Sequence, residues 1–211
     1  MPIFRSGQGH APAWCELENF EFIELKGGER KVLARAGRKE EYIVCRGGIV
    51  ATLGKMECTL AEGGKLDLNG PGVKSVTLSA GGDALVCRLI GRWKSITSSG
   101  IFAAQTAAPP TFDTPHAYAK TTGFDNHYHD CDEYWLFFEG QATVATEGKI
   151  LEAGPGDCVA TGMGWHHDVV AVKDNQPIRA IWFEGTLEGQ KRVGHLWEPQ
   201  HGKAKPRTRR V

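Results

Sequence analysis

Short apolar runs, rather than helical periodicity, organise this chain. β-rich segments recur at Tyr42–Cys45, Ile49–Leu53, Ser75–Leu78, Ala84–Ile90, Tyr134–Phe138, Ala142–Ala145, Asp157–Thr161, Asp168–Val172 and Arg179–Phe183. Glycine, asparagine or proline separates many of them, a spacing that predicts an all-β sandwich or barrel. Only the first 30 residues and the last 25 leave room for short helices.

The pattern repeats. Glu41-Tyr42 with Gly48 matches Glu133-Tyr134 with Gly140 at a shift of 92 residues, and Leu60–Gly63 matches Leu151–Gly154 at a shift of 91. Gly72 matches Gly164, and Asp83–Gly91 has a counterpart in Pro177–Gly185. Their shared order and nearly constant shift point to a duplicated β unit. The expected division is 1–98 and 99–211, with the linker at roughly Thr97–Thr114, which is rich in serine, alanine and proline.

Composition narrows the partners. Lysine plus arginine equal aspartate plus glutamate at 25 each, which argues against nucleic acid. The basic stretch from Lys203 to Arg210 reads as a solvated terminus. No apolar run suits a signal peptide or approaches the ~18 residues of a membrane helix. The six cysteines form no CxxC pair, and Cys45, Cys87 and Cys158 sit in apolar strand patterns. They read as small buried hydrophobes in a reducing cytoplasm.

Chemistry concentrates in the second half. Residues 127–140 run His-Tyr-His-Asp-Cys-Asp-Glu-Tyr-Trp-Leu-Phe-Phe-Glu-Gly. His127 and His129, one residue apart on an extended strand, point to the same face. Glu133 follows, and His167 arrives from a distant segment. Three neutral imidazoles and a carboxylate make a nitrogen/oxygen site for a divalent transition metal. Asp130 and Asp132 compete with Glu133 by position, and Asp132 is the fallback ligand. His166 and His167 cannot both face inward; His167 shares its face with Val169 and Ala171, the less polar side. At the repeat shift His127 falls on Arg35, His129 on Gly37 and His167 on Ser75, so the first half is expected to lack a metal. Trp135 and Phe137 alternate with Glu133, and Trp165 shares parity with His167; these aromatic residues, Trp182 and Arg179 are candidates to line a substrate pocket. His10, His116, His195 and His201 read as surface residues. No phosphate-binding GxxxxGK[ST] loop or GxSxG elbow is present.

These motifs resemble those of the cupins. His127, His129, Glu133 and Gly140 fit the first cupin motif, G-x5-H-x-H-x3,4-E-x6-G, although only three residues separate Gly123 from His127. Gly156, Gly164 and His167 fit the second, G-x5-P-x-G-x2-H-x3-N, with Gly162 in place of the proline and Ala171 in place of the asparagine. The resemblance covers roughly residues 30–190. It implies two tandem jelly-roll-like barrels, a bicupin with a degenerate N-terminal copy and a metal-binding C-terminal one. Iron or manganese is the favoured metal, with nickel, zinc, cobalt and copper also compatible. The chemistry implied is isomerisation of a sugar or keto acid; dioxygenation of a small aromatic or diketone, or metal-dependent binding without catalysis, are the alternatives. Cupins commonly pair through barrel edges, so a homodimer is expected.

Overall fold

The computed structural model describes residues 3–6, 11–68, 70 and 72–207. In chain order the strands are β1 (Ile3–Arg5), β2 (Leu17–Leu25), β3 (Arg30–Ala34), β4 (Lys39–Arg46), β5 (Gly48–Leu53), β6 (Met56–Ala61), β7 (Lys65–Asp67), β8 (Ser75–Ser79), β9 (Ala84–Gly91), β10 (Ser98–Ala104), β11 (Glu133–Glu139), β12 (Ala142–Thr146), β13 (Lys149–Ala153), β14 (Asp157–Thr161), β15 (His167–Val172) and β16 (Ile178–Glu184). A single 3-10 turn (Lys173–Asn175) and a four-residue helix α1 (Glu198–His201) complete the described elements. No helix among the described residues is long and apolar enough to cross a membrane.

All nine runs marked by β-forming residues are strands. Of the two ends with room for short helices, the first 30 residues hold β1 and β2 among the described residues and the last 25 hold α1, while the expected linker contains β10. β2 (LENFEFIEL) buries Leu17, Phe20, Ile23 and Leu25, with a register shift against β9 between Leu17 and Asn19. β10 (SSGIFAA) has weak intrinsic strand preference, but all seven of its residues pair with β16, so tertiary context decides.

The chain forms two compact units. Leu17–Trp93 make an N-terminal unit with sheets ordered β2-β9-β4-β7 and β3-β8-β5-β6. Its core packs Ile23, Tyr42, Val44, Ile49, Val76, Leu78 and Val86. The C-terminal unit runs from Lys94 onward, with sheets β1-β14-β11-β16-β10 and β13-β12-β15 around Trp135, Phe137, Val144, Val159, Val169 and Ile178. Ile3, Phe4 and Arg5 pair antiparallel with Val159, Cys158 and Asp157 of this unit.

Strand orders correspond between units, with β2, β9, β4 and β7 matching β10, β16, β11 and β14. The register shift on β4 lies between Val44 and Arg46, and that on β11 between Phe137 and Glu139. Each bulged strand runs into a glycine at positive φ, Gly47 at 76° and Gly140 at 71°. At Gly140 a side chain would also press on the Pro177 carbonyl and Ile178, so only glycine fits without strain. His10 and Thr208–Arg210 lie outside the described residues; of the basic stretch, Lys203–Arg207 is described, with Arg207 paired to Glu188.

Candidate metal centre

His127 and His129 sit on a short extended segment that pairs with the start of β15. His127 N–H donates to the His167 carbonyl (3.2 Å) and His167 N–H to the His127 carbonyl (2.9 Å). Glu133 opens β11, opposite Thr161 on β14 and Glu184 on β16. Three segments therefore deliver four side chains to one point. Their ligand atoms all lie within 4.8 Å of one another. Asp132 is not the carboxylate; its Oδ1 accepts the Met163 N–H (2.8 Å).

Neighbouring groups orient each donor. The Asp125 carbonyl lies 2.9 Å from His127 Nδ1, and the Trp165 carbonyl 3.2 Å from His167 Nδ1. A carbonyl can only accept, so the proton sits on Nδ1 and the Nε2 lone pair faces the centre. The Trp135 indole N–H donates to Glu133 Oε1 (2.9 Å), leaving Oε2 toward the imidazoles.

The remaining atoms do not satisfy one another. His127 Nε2, His129 Nε2, Glu133 Oε2 and His167 Nε2 are buried without a hydrogen-bond partner among the described residues. Glu133 Oε2 stands 2.5 Å from His167 Nε2 and 3.2 Å from His129 Nε2. At that separation a proton on Nε2 or a metal cation must lie between the facing lone pairs. Burial of four such atoms would otherwise cost several kcal/mol. This donor set fits a divalent transition metal with nitrogen and oxygen ligands.

Electrostatics agree. Burial, reinforced by His167, pushes His127 down to about 3, so it is neutral and able to ligate. Burial alone would raise Glu133, but His129 and His167 beside it outweigh that and hold it well below the usual carboxylate range. For His129, burial opposes the charged ring, yet Glu133 outweighs it and moves the ring upward.

Beside the donors lies a cavity of about 160 Å³ lined by Phe102, Phe124, Glu133, Trp135, Trp182, Glu184 and His195. Trp135 and Trp182 are where the sequence placed them. Three other candidates do not line it. Phe137 points into the core, Trp165 contributes its carbonyl to His167, and Arg179 lies over the Phe138 ring 3.8 Å from Glu139. Strand parity alone selects a face and not a depth, and Phe137, two positions beyond Trp135 on that face, fills the core beneath the cavity. Among the other histidines, His166 lies 3.5 Å from Glu198, His116 sits in a half-buried cluster with Asp113, and His201 accepts the Trp197 N–H.

Four lining residues, Phe102, Phe124, Glu184 and His195, were not among the sequence candidates. Glu184 shares the inward parity of Trp182, a signal that could have found it. Burial raises its carboxyl above the ordinary value, with His129 pulling the other way. His195, expected on the surface, stacks on His127 (centroids 3.7 Å, planes 5° apart), and its Nδ1 lies 2.9 Å from Asp125 Oδ2. It comes from a loop, where no period reveals direction. The Cys131 thiol, driven up by burial and by Glu184, is a neutral neighbour rather than a nucleophile.

In the N-terminal unit a buried carboxylate, Glu40, meets a guanidinium, Arg88. Tyr42 faces Arg88 as Trp135 faces Trp182. Two residues before Tyr42 is Glu40, as Glu133 is two residues before Trp135. Glu40 is fully buried and accepts Arg88 Nε (3.0 Å) and Nη2 (2.9 Å), the Tyr42 hydroxyl (2.9 Å) and the backbone N–H groups of Ala36 and Gly37. A guanidinium stands against this carboxylate where the other unit gathers imidazoles.

No family model matches the chain. The protein y4oW of Sinorhizobium fredii, itself described as uncharacterized, is 40% identical over 213 residues, covering 100% of this chain and 97% of that one. Among solved structures, a tryptophan-to-tyrosine variant of Bacillus subtilis oxalate decarboxylase superposes with a TM-score of 0.57 at 9% identity, over 89% of this chain and 78% of that one. A study of the Mn(II) centres of the same decarboxylase gives 0.56 at 9% identity, over 90% and 78%. Protein Ylba from E. coli gives 0.51 at 12% identity, over 91% of both chains. These likenesses concern the fold, an all-β architecture of cupin type. By its full-length identity, the chain belongs to the family of the rhizobial protein y4oW, built on the cupin fold.

Proposed function

We propose that this is a metal-dependent cupin enzyme whose C-terminal unit holds one divalent transition metal through His127, His129, Glu133 and His167 and acts on a small molecule in the adjoining cavity. The observation that carries the reading is the set of four buried donor atoms with no partner but one another. Such an ion would supply a Lewis acid for a carbonyl or hydroxyl oxygen. The Mn(II) centres named for the Bacillus subtilis decarboxylase support manganese, with iron as the other favoured ion. Asp125 and Trp165 fix the imidazoles, Trp135 fixes Glu133, and aromatic side chains line the cavity. Glu184 and His195 supply the polar groups that can hold or pass a proton. Isomerase-type proton transfer, such as exchange between an enol and its keto form, is therefore the leading chemistry. Dioxygenation of a small aromatic or diketone is the second reading, favoured by the four aromatic rings lining the cavity.

The same reading makes the N-terminal unit a duplicated cupin without metal ligands. Matching strand order and register support duplication, while Leu33, Arg35 and Val76 offer no imidazole. Elemental analysis of purified protein tests the metal directly: close to one transition-metal ion per chain is expected, and none after loading with Mn(II), Fe(II) or Zn(II) would end the proposal. Deuterium exchange beside a substrate carbonyl supports proton transfer, whereas oxygen uptake with catechols or diketones supports the dioxygenase.

A further inference from the structure

We propose that the ligand of this cavity is an uncharged single-ring molecule with a hydroxyl, of the phenol or cyclic enol class, rather than a sugar or a keto acid; this rests on the reading of the four donors as a metal site. Size comes first. The cavity measures about 160 Å³, and an engineered apolar cavity of ~150 Å³ takes one benzene. One six-membered ring fills it.

The wall is aromatic. Phe124 meets Trp135 edge-on with centroids 5.2 Å apart, and Phe102 lies 5.4 Å from both. Trp182 closes another side. It faces Gly100 across β10 and β16, and a side chain at Gly100 would run into the indole ring, so the glycine lets the tryptophan lie against the strand.

The polar inventory is short. Both indole donors are taken, Trp135 Nε1 by Glu133 and Trp182 Nε1 by Ser98 (3.0 Å). What remains beside the metal donors is the Glu184 carboxyl and the His195 ring. A pyranose would bury several hydroxyls with too few partners, at ~1–3 kcal/mol for each one left unmet. A keto acid would bring a carboxylate toward Glu184, and among the described residues no lysine or arginine lines the cavity. A flat ring with one or two hydroxyls leaves nothing unsatisfied: its faces meet the aromatic wall, one oxygen faces the metal donors and a hydroxyl donates to Glu184.

The test is calorimetric titration of the full-length, Mn(II)-loaded protein with phenol, catechol, glucose and pyruvate, with metal content measured on the same samples. Phenol or catechol should bind at least about tenfold more tightly than glucose or pyruvate. Trp182→Ala should weaken phenol binding by about tenfold while manganese content stays at the wild-type level. Gly100→Ala, which crowds the indole without removing it, should weaken it in the same direction. Pyruvate or glucose binding as well as phenol, or Trp182→Ala binding phenol unchanged, overturns the ligand class. If no manganese is taken up yet phenol still binds through Trp182, the metal reading fails and the ligand class stands. If neither binds, both fall.

Discussion

Replacing Arg88 by methionine isolates what the buried Arg88–Glu40 pair contributes to the N-terminal unit. The Glu40 carboxylate is 0% exposed and the Arg88 side chain 6%. Arg88 gives Glu40 hydrogen bonds of 3.0, 3.0 and 2.9 Å and another to the Ala34 carbonyl. Its contact with half-exposed Glu21 is screened by solvent and adds little. Methionine keeps most of the volume but leaves a buried carboxylate with only the Ala36 and Gly37 amides and the Tyr42 hydroxyl. Breaking a buried pair from one side costs ~3–5 kcal/mol. For a unit of this size that is a fall of at least about 12 °C in Tm. The loss should depend on pH. Burial pushes Glu40 up, but the Gly37 and Ala36 amides and Arg88 outweigh it and hold the carboxyl below its ordinary value. A depressed carboxyl stabilises the fold above its unfolded pKa and loses that contribution as pH falls through the folded one. The gap between wild type and Arg88→Met should therefore be widest near neutrality and narrow in acid. Calorimetry and denaturant titration at neutral and acid pH measure it, and Glu40→Gln in the Arg88→Met background should recover part of the loss. A penalty below about 1 kcal/mol at neutral pH, or one equal at both pH values, refutes the reasoning. Metal content should not change.

Three further outcomes are expected. His129→Ala should lose most bound metal in elemental analysis while keeping its β circular dichroism, whereas Ser75→Ala should hold the wild-type amount. Metal retention in equilibrium dialysis should fall as pH drops from neutral toward acid, because protons compete for the imidazole nitrogens; retention that is flat with pH would count against histidine ligation. Gly140→Ala should cost ~2 kcal/mol or more in denaturant titration, since φ is 71° and the new methyl meets the Pro177 carbonyl, while Gly148→Ala, at 73° with open space around it, should cost ~1 kcal/mol.

The four donors were legible because strand alternation makes His127 and His129 neighbours on one face and because spacing ties Glu133 and His167 to them. Glu184 followed the same parity but carried no motif, and His195 came from a loop whose direction depends on Asp125. The repeated pattern reappears as corresponding strand orders in the two units, and a constant shift cannot follow their bulges and unequal loops. β10 was hidden because Ser98, Ser99, Gly100 and Ala103 have little intrinsic strand preference, and its glycine answers to Trp182 on the next strand.

The placement of β1 has a consequence for how the chain is made. Residues 3–5 leave the ribosome before the N-terminal unit, yet their pairing partner, Asp157–Val159, emerges only after it. Removal of β1 would bare β14, the strand beside the one that carries Glu133.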